Sequence, residues 1–378
     1  MSWTRDKFQR MPRPTVFVVC LFGILINFAT LSPQGVYSIF QDHSDFRSFY
    51  IGAKLVATGD IYNVDQVLES QRKLFGGTSR TLLPVRLPFF YAFLSPLGKL
   101  PLLFGQWIWL AGMILATGVF IWLYSGPGRA RTAVACCWSW PLLLSLPMGQ
   151  DLALVLLFLG AALWAIYARK NWWTAGLLFS LCLIKFNLFL LFPLLMVGKR
   201  KWRLAAGACT GAACLIAISF LVAGWEWPRQ YAAVILDPQG SPDLAGMPNL
   251  HGLMFNLHGL GVPEYLVSLG VIGVVWWVIR HRSFGVAAAA TLLGSLLLSQ
   301  HVYLQDCAIL IPALLILVRP VCGTLVRYGA LVLLLPLPYE LSLFRGRGSA
   351  LAVVFLVLLL AIALDRKHRA AAVAPMQL

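Results

Sequence analysis

The chain has 378 residues, of which 60% are hydrophobic and 12% charged, and its mean hydropathy is +0.79. A soluble domain carries about a quarter charged residues, so this composition excludes an ordinary soluble enzyme and indicates an all-α polytopic membrane protein. Thirty basic against 14 acidic residues leave a net charge of +16. Because the basic residues lie between apolar runs, membrane topology explains this charge better than nucleic-acid binding does.

The first predicted span is the apolar run at residues 15–32, which basic residues precede. No small-residue cleavage site follows, so the sequence predicts an uncleaved anchor with a cytoplasmic N-terminus. Asp45 comes soon after it, in QDHSDFRSFY, at the predicted membrane–water boundary. A carboxylate there can meet one substrate held in lipid and another in water. The alternative is that these residues are loop charges that only mark the end of the span.

The rest of the chain is predicted to form further spans of one membrane domain, residues 1–378. Residues 33–83 are predicted to be an extracytoplasmic loop with an amphipathic interfacial helix. A proline-rich run from residue 87 is predicted to be a short, kinked span. Further runs lie at 103–124, 132–147, 151–168, 173–197, 204–223, 263–279, 285–299, 303–318, 322–338 and 349–364. With the first span they make about 12.

Alternating these spans places the loops 33–83 and 225–262 and the turn at His301 outside. The larger basic clusters then lie in the cytoplasm, as the positive-inside rule requires. These clusters are Lys199-Arg200-Lys201 with Arg203, Arg280 with Arg282, and Arg366-Lys367 with Arg369. The same alternation places a second set outside, against the rule: Arg129, Arg131, Arg169, Lys170, Arg345 and Arg347.

Three polar groups interrupt the apolar runs. Lys185 lies near the middle of one run, where a lysine costs about 2.5–3.5 kcal/mol, so it is predicted to face a cavity or a partner unless its stem reaches an interface. Gln150-Asp151 forms a break that is either a turn with a helix N-cap or part of a site. His301 and Asp306 bracket the start of a late span, where the histidine is either structural or part of a shared outer site.

The order of these features resembles glycosyltransferase family 87, membrane mannosyltransferase-like enzymes of the GT-C fold that use polyprenyl-phosphate sugars. The matching segments are DFRSFYIGAKLVATGDIYN, PFFYAFLSPLGKLP, the Gly-Gln before a span, WWTAGLLFSLCLIKFNLFLLFPLL with GKRKWR, MPNLHG and SQHVYLQD. The resemblance covers most of residues 15–320 and implies a GT-C-type bundle. It also implies that Asp45 is the family's carboxylate and His301 its late histidine. The chain departs from the family at Phe186-Asn187, where a proline is usual, and at Leu250-His251, where Gln-Ser is usual.

Together these observations predict that the chain transfers a sugar, with inversion, from a polyprenyl-phosphate donor to a lipid-linked or polysaccharide acceptor. The resemblance implies mannose, the sugar that the family uses most often. Asp45 is predicted to be the general base, and His301 to donate to the phosphate or orient the acceptor. No nucleotide-binding motif appears, which agrees with a lipid-phosphate leaving group. The candidate phosphate- or substrate-binding residues are Lys185, Arg47, Arg229 and Asn249.

No cofactor is predicted and no metal site, because the eight cysteines form no CxxC pair or metal-type spacing. The expected partners are the sugar donor, a glycolipid or glycan acceptor and the lipids of the plasma or inner membrane, with no nucleic acid. A transporter or flippase of a lipid-linked saccharide is the alternative. Such a protein needs charges along a pathway and often has internal repeats. The halves of this chain show no repeat, and its ionisable residues gather toward one face.

Overall fold

The computed structural model describes residues 12–30, 44–76, 83–124, 128–236, 244–344 and 347–365, and these residues form helices and no strands. The all-helical class predicted from the sequence is therefore confirmed. Residues 33–43, 77–82 and 237–243 of the predicted loops lie outside the described residues, as do Arg345 and the basic residues after position 365.

The helices, in chain order, are α1 (Arg13–Thr30), α2 (Phe46–Leu55), α3 (Val64–Phe75), α4 (Pro88–Gly98), α5 (Leu102–Leu123), α6 (Arg129–Trp138), α7 (Trp140–Ser145), α8 (Leu152–Tyr167), α9 (Trp172–Ser180), α10 (Phe192–Gly198), α11 (Trp202–Ala223), α12 (Trp227–Ile235), α13 (Leu250–Asn256), α14 (Val262–His281), α15 (Phe284–Leu298), α16 (Ile311–Leu317), α17 (Thr324–Leu333), α18 (Leu337–Phe344) and α19 (Ala350–Leu364). Two stretches of 3₁₀ turns, Leu181–Phe189 and Leu304–Leu310, lead into α10 and α16.

Five helical stretches in the described part of the chain are long and apolar enough to cross a membrane: α1, α5, Trp172–Phe189, α11 and α14. The pair α17 and α18, bent by 59°, makes a sixth if it counts as one broken span. Shorter apolar helices lie at Leu152–Tyr167, Phe284–Leu298, Leu304–Leu317 and Ala350–Leu364. The chain is thus a membrane protein, while the count of about 12 spans stays a prediction.

Small residues bring the helices of the bundle close together. The helix α15 is buried almost throughout, and a Cβ on its Gly294 would lie 2.6 Å from the side chain of Val275 in α14. Likewise, a Cβ on Gly176 of α9 would lie 2.2 Å from the carbonyl oxygen of Leu204 in α11. Membrane helices gain their packing energy from such close backbone approach, so these contacts fix how the bundle assembles.

The proline-rich helix α4 does not cross the bundle, so the prediction of a kinked span is wrong. The Tyr50 hydroxyl of α2 donates to the Leu100 carbonyl at 2.6 Å, just after α4. A Cβ on Gly98 would lie 2.9 Å from the backbone of Ala53, also in α2. Eleven residues span only about 16 Å, too short for a bilayer core. The helix therefore lies along α2, where the sequence predicted a helix; the interfacial position of α2 stays a prediction.

The predicted span at 173–197 is also not a single crossing. The rings of Phe179 and Phe192, on either side of Lys185, stack with centroids 4.7 Å apart. At the base, the ammonium of Lys201 lies 4.0 Å from the ring of Trp172. Residues 172–198 therefore rise and return as a re-entrant hairpin, and the 3₁₀ turns Leu181–Phe189 form its apex.

These two differences remove the conflict with the positive-inside rule for Arg131, Arg169 and Lys170, while Arg347 stays at the Asp45 end. Arg169 and Lys170 directly precede α9, so they lie at the hairpin base with Lys201. Arg319 is within electrostatic range of both Arg131 and the last residue of α8, which adds Arg131 to this end. The helix α11 then carries the chain to the opposite end. The prediction that separated these basic residues from Lys201 is therefore wrong, because it counted α4 and the hairpin as single spans.

Candidate active site

Five turns and helix ends bring charged and amide side chains together at the end of the bundle opposite Lys201. Asp45 precedes α2, Arg86 precedes α4, and Gln150 and Asp151 form the turn before α8. Lys185 lies at the hairpin apex, and Asp306 lies in the 3₁₀ turns before α16. We refer to these residues as the polar network: Asp45, Arg86, Gln150, Asp151, Lys185 and Asp306.

The ammonium of Lys185 is the centre of the network. Its Nζ lies 2.5 Å from Asp306 Oδ1, 2.9 Å from Gln150 Oε1 and 3.5 Å from Asp151 Oδ1. Lys185 is 5% exposed and Asp151 is fully buried. A buried ammonium is tolerated only when acceptors surround it, and here two carboxylates and an amide oxygen do so.

The backbone explains how a lysine in an apolar run reaches these acceptors. Lys185 has φ −127° and ψ 57°, so the helix is broken at this residue. The break lies at the hairpin apex, which places the side chain level with the Gln150-Asp151 turn. Of the two interpretations from the sequence, the structure shows that Lys185 faces partners and does not reach an interface. Its predicted role as a donor-phosphate ligand stays a prediction.

Arg86 completes the charge balance beside Asp151. Its Nε and Nη2 donate to Asp151 Oδ2 and Oδ1 at 2.6 and 3.2 Å, a bidentate pair. The backbone of Arg86 is itself held, since its N–H donates to the Tyr91 hydroxyl and its carbonyl accepts from Tyr62. Asp151 stands at the N-cap position of α8, yet its side chain makes no capping bond. The sequence analysis missed Arg86, although an arginine between apolar residues directly before a helix was a usable signal.

Asp45 joins the network through Gln150, whose Nε2 donates to Asp45 Oδ2. The backbone N–H of Asp45 also donates to the Met148 carbonyl at 2.8 Å. Between them, Gly149 has φ +67°, and a Cβ there would lie 2.5 Å from Ser44 Oγ. Glycine is therefore required for the turn to approach Asp45, which accounts for the Gly-Gln seen in the sequence.

The three carboxylates of the network have different environments. Asp151 is held by a guanidinium and Asp306 by an ammonium, and both are buried. Asp45 accepts from the neutral amide of Gln150 and is partly exposed. Asp45 is therefore the carboxylate of the three that solvent can reach most easily.

His301 lies at the same end, on the turn after α15, and its side chain is exposed. Its carbonyl accepts from Asn187 Nδ2 at 2.9 Å, so the hairpin apex holds this turn. Partial desolvation, together with the neighbouring His251, lowers the pKa of His301 below its usual value. The imidazole is therefore mainly neutral at pH 7. The structure brings the Asp45 and His301 segments to one end, and the catalytic role of His301 stays a prediction.

Asn249 has a structural environment in this fold. It is fully buried, its Nδ2 donates to the Ser299 carbonyl at 2.6 Å, and its Oδ1 accepts from the Gly252 N–H at 2.8 Å. These bonds cap α13 and hold the turn that precedes His301. Nearby, His251 Nδ1 lies 2.8 Å from Glu264 Oε1, a hydrogen bond that the sequence analysis did not identify.

The two candidate arginines lie in different settings. Arg47, on the first turn of α2, is partly buried, with its guanidinium 4.7 Å from the Phe75 ring centroid. Arg229 is exposed on α12, and in the described part of the chain no contact joins it to the polar network. Among the same residues, no group of three or more His, Cys, Asp or Glu side chains is arranged to hold a metal ion.

Comparison with known proteins identifies one family. The family model described as glycosyltransferase family 87 matches residues 88–302, more than half of the chain. The match contains Gln150, Asp151, Lys185 and His301, whereas Asp45 precedes it. No curated protein and no solved structure matches the chain.

Proposed function

This chain belongs to glycosyltransferase family 87, and we propose that it transfers a sugar from a polyprenyl-phosphate donor to an acceptor hydroxyl at the membrane face that holds Asp45. The observation that carries this proposal is the polar network, in which Asp151 and Asp306 are buried while Asp45, which accepts from the Gln150 amide, is partly exposed. Asp45 is therefore the carboxylate of the network that an acceptor hydroxyl can reach from the surface.

The reaction is a single displacement. Asp45 takes the proton of the acceptor hydroxyl as the acceptor oxygen forms a bond to the anomeric carbon. The bond from that carbon to the phosphate oxygen breaks, and the electron pair leaves on the lipid phosphate. One displacement inverts the anomeric configuration and needs no second carboxylate as a nucleophile. His301, on the neighbouring turn, orients the acceptor or donates to the phosphate.

Binding of the donor phosphate falls to cations near Asp45. Arg47 follows Asp45 by two positions and is only partly buried, so it is the best supported phosphate partner. Arg229 is exposed on α12 and is the second candidate. Lys185 is the least supported, because its ammonium already has three acceptors. Mannose as the sugar, a lipid-linked or polysaccharide acceptor, a GT-C-type bundle of about 12 spans and an extracytoplasmic site in the plasma or inner membrane complete the proposal.

The test uses the purified full chain in lipid nanodiscs with polyprenyl-phosphate [³H]mannose and a lipid extract as acceptor. Wild type should transfer label, and Asp45→Asn should transfer it about 10²–10⁴-fold more slowly. Asp65→Asn, which changes an exposed carboxylate on α3, should have wild-type activity. Near-normal turnover of Asp45→Asn would exclude Asp45 as the base. Movement of the labelled lipid across a vesicle membrane without transfer would favour the flippase alternative.

A further inference from the structure

We infer that Gln150 is a positioning residue, whose amide fixes the rotation and the basicity of the Asp45 carboxylate, and that Lys185 in turn fixes the orientation of this amide. The inference rests on the proposed function, because it gives Asp45 the role of base. It assigns Lys185 to the support of the base, where the sequence alone predicted a phosphate ligand.

The first step concerns the two ends of the Gln150 amide. One end donates and the other accepts, whereas an ammonium only donates and an ionised carboxylate only accepts. Lys185 Nζ lies 2.9 Å from Gln150 Oε1, so the NH₂ end must face Asp45. The reverse orientation would place NH₂ against an ammonium and an oxygen against a carboxylate. Lys185 therefore allows one orientation of Gln150, the one that donates to Asp45.

The second step concerns what holds Lys185. Asp306 Oδ1 lies 2.5 Å from its Nζ, and Asp306 Oδ2 accepts from the Tyr303 N–H at 2.9 Å. Asp151, 3.5 Å from the same Nζ, is fixed by the bidentate Arg86 pair. Lys185, Asp151 and Asp306 are buried, and only 12% of the Arg86 side chain is exposed. In such a weakly screened interior each bond supports the next, so Lys185 has little freedom to turn elsewhere.

The third step concerns Asp45. A donor on Oδ2 fixes the rotation of the carboxylate about its Cβ–Cγ bond, and it stabilises the ionised form relative to the protonated one. Without this donor the carboxylate should bind its proton more tightly and rotate more freely. Loss of Gln150 should therefore change two measurable properties together: the pH at which Asp45 ionises and the turnover number.

The experiment titrates Asp45 directly, which requires no knowledge of the substrate. The full chain in nanodiscs is labelled with a carbodiimide and an amine between pH 3 and 8, and mass spectrometry gives the labelled fraction at Asp45. In Gln150→Leu the titration midpoint should rise by about one pH unit. Gln150→Glu, which is isosteric and places a carboxylate beside Asp45, should raise it further. Asn27→Leu, which removes a buried amide from α1, should not move it.

The transfer assay supplies the second readout. In Gln150→Leu the kcat should fall about 10–100-fold while the KM for polyprenyl-phosphate mannose changes less than about threefold, because a misplaced base affects the chemical step. The acidic limb of the pH–rate profile should move with the titration midpoint. Should Gln150→Leu fail to fold, the isosteric Gln150→Glu carries both measurements.

Two results would overturn the inference: wild-type titration midpoints in the Gln150 variants, or a fall in kcat with no movement of the acidic limb. Failure of the proposed function is distinguishable from this, because it shows in Asp45→Asn. If Asp45→Asn is inactive and the Gln150 variants keep the wild-type midpoint, only the positioning role is lost. If Asp45→Asn is active, the base assignment itself fails.

Discussion

Charged side chains have different environments at the two ends of the bundle. At the Asp45 end, charges are buried and held by one another, as in the contact of Lys185 with Asp306. At the other end, basic side chains lie over tryptophan rings near the surface, as Lys201 does over Trp172 and Arg169 does over Trp164. A charge over a ring at an interface tolerates change, whereas a buried charge depends on every partner. The comparison shows that the environment of a lysine depends on its position in the bundle. Lys185 is buried among carboxylates, whereas Lys201 lies over a ring near the surface.

Exchange of a lysine at each end gives the largest expected contrast. Lys185→Met leaves the Asp306 carboxylate buried without its ammonium and should lower the free energy of unfolding by about 3–5 kcal/mol. Lys201→Met, at the other end, removes a cation–π contact and should cost about 1 kcal/mol or less. Thermal unfolding of both variants in the same detergent measures the difference. Equal melting temperatures would mean that the buried network adds no stability.

The turn that supports Asp45 offers a sharper test within one end. Gly149→Ala introduces a left-handed alanine and a Cβ 2.5 Å from Ser44 Oγ, so it should cost about 2–3 kcal/mol and displace Asp45. Gly59→Ala is the matched control, since Gly59 has φ +80° with open space around its Cβ position. It should cost about 1 kcal/mol, from backbone strain alone. The two melting temperatures, with transfer activity, separate strain from crowding; equal losses would exclude the close approach.

The smallest effect is a pH dependence of stability that comes from His301, at the Asp45 end. The lowered pKa of His301 means that the folded protein binds this proton less readily than the unfolded chain. The contribution is present above the unfolded value of about 6.5 and is lost as the pH falls through the folded pKa. His301→Gln should therefore lose less thermal stability than wild type between pH 7 and 5. Thermal unfolding of wild type and His301→Gln at pH 7 and pH 5 measures the difference, and equal losses of stability in the two proteins would contradict this assignment.

Composition was sufficient to predict the helical membrane class, and the cost of a buried lysine was sufficient to predict that Lys185 has partners. What composition could not show is where a continuous apolar run turns back. The hairpin reverses at Lys185 without a glycine at its apex, so the run looks like one span. Likewise α4 has a span's composition but only half its length. The first error concerns the direction of the chain and the second the length of a helix, and hydropathy alone shows neither.

The candidate site was predicted in part for a related reason. The sequence identified the positions of Asp45, Lys185 and His301, and it also identified the break at Gln150-Asp151. It missed Arg86, although the position of this arginine between apolar residues before a helix was a usable signal. It could not show that Lys185 and Gln150 share a bond either, since that contact joins segments 35 residues apart. Partners of this kind follow from the helix packing and not from local pattern.

The re-entrant hairpin also affects the order in which the protein matures. Lys185 leaves the ribosome 121 residues before Asp306, its nearest acidic partner, while Asp151 has already been made. The hairpin must therefore enter the membrane with its lysine only partly neutralised. The ion pair between Lys185 and Asp306 can form only after the 3₁₀ turns before α16 have been synthesised and have packed against the hairpin apex. The polar network is therefore complete only after the C-terminal third of the chain, which contains Asp306, has been made.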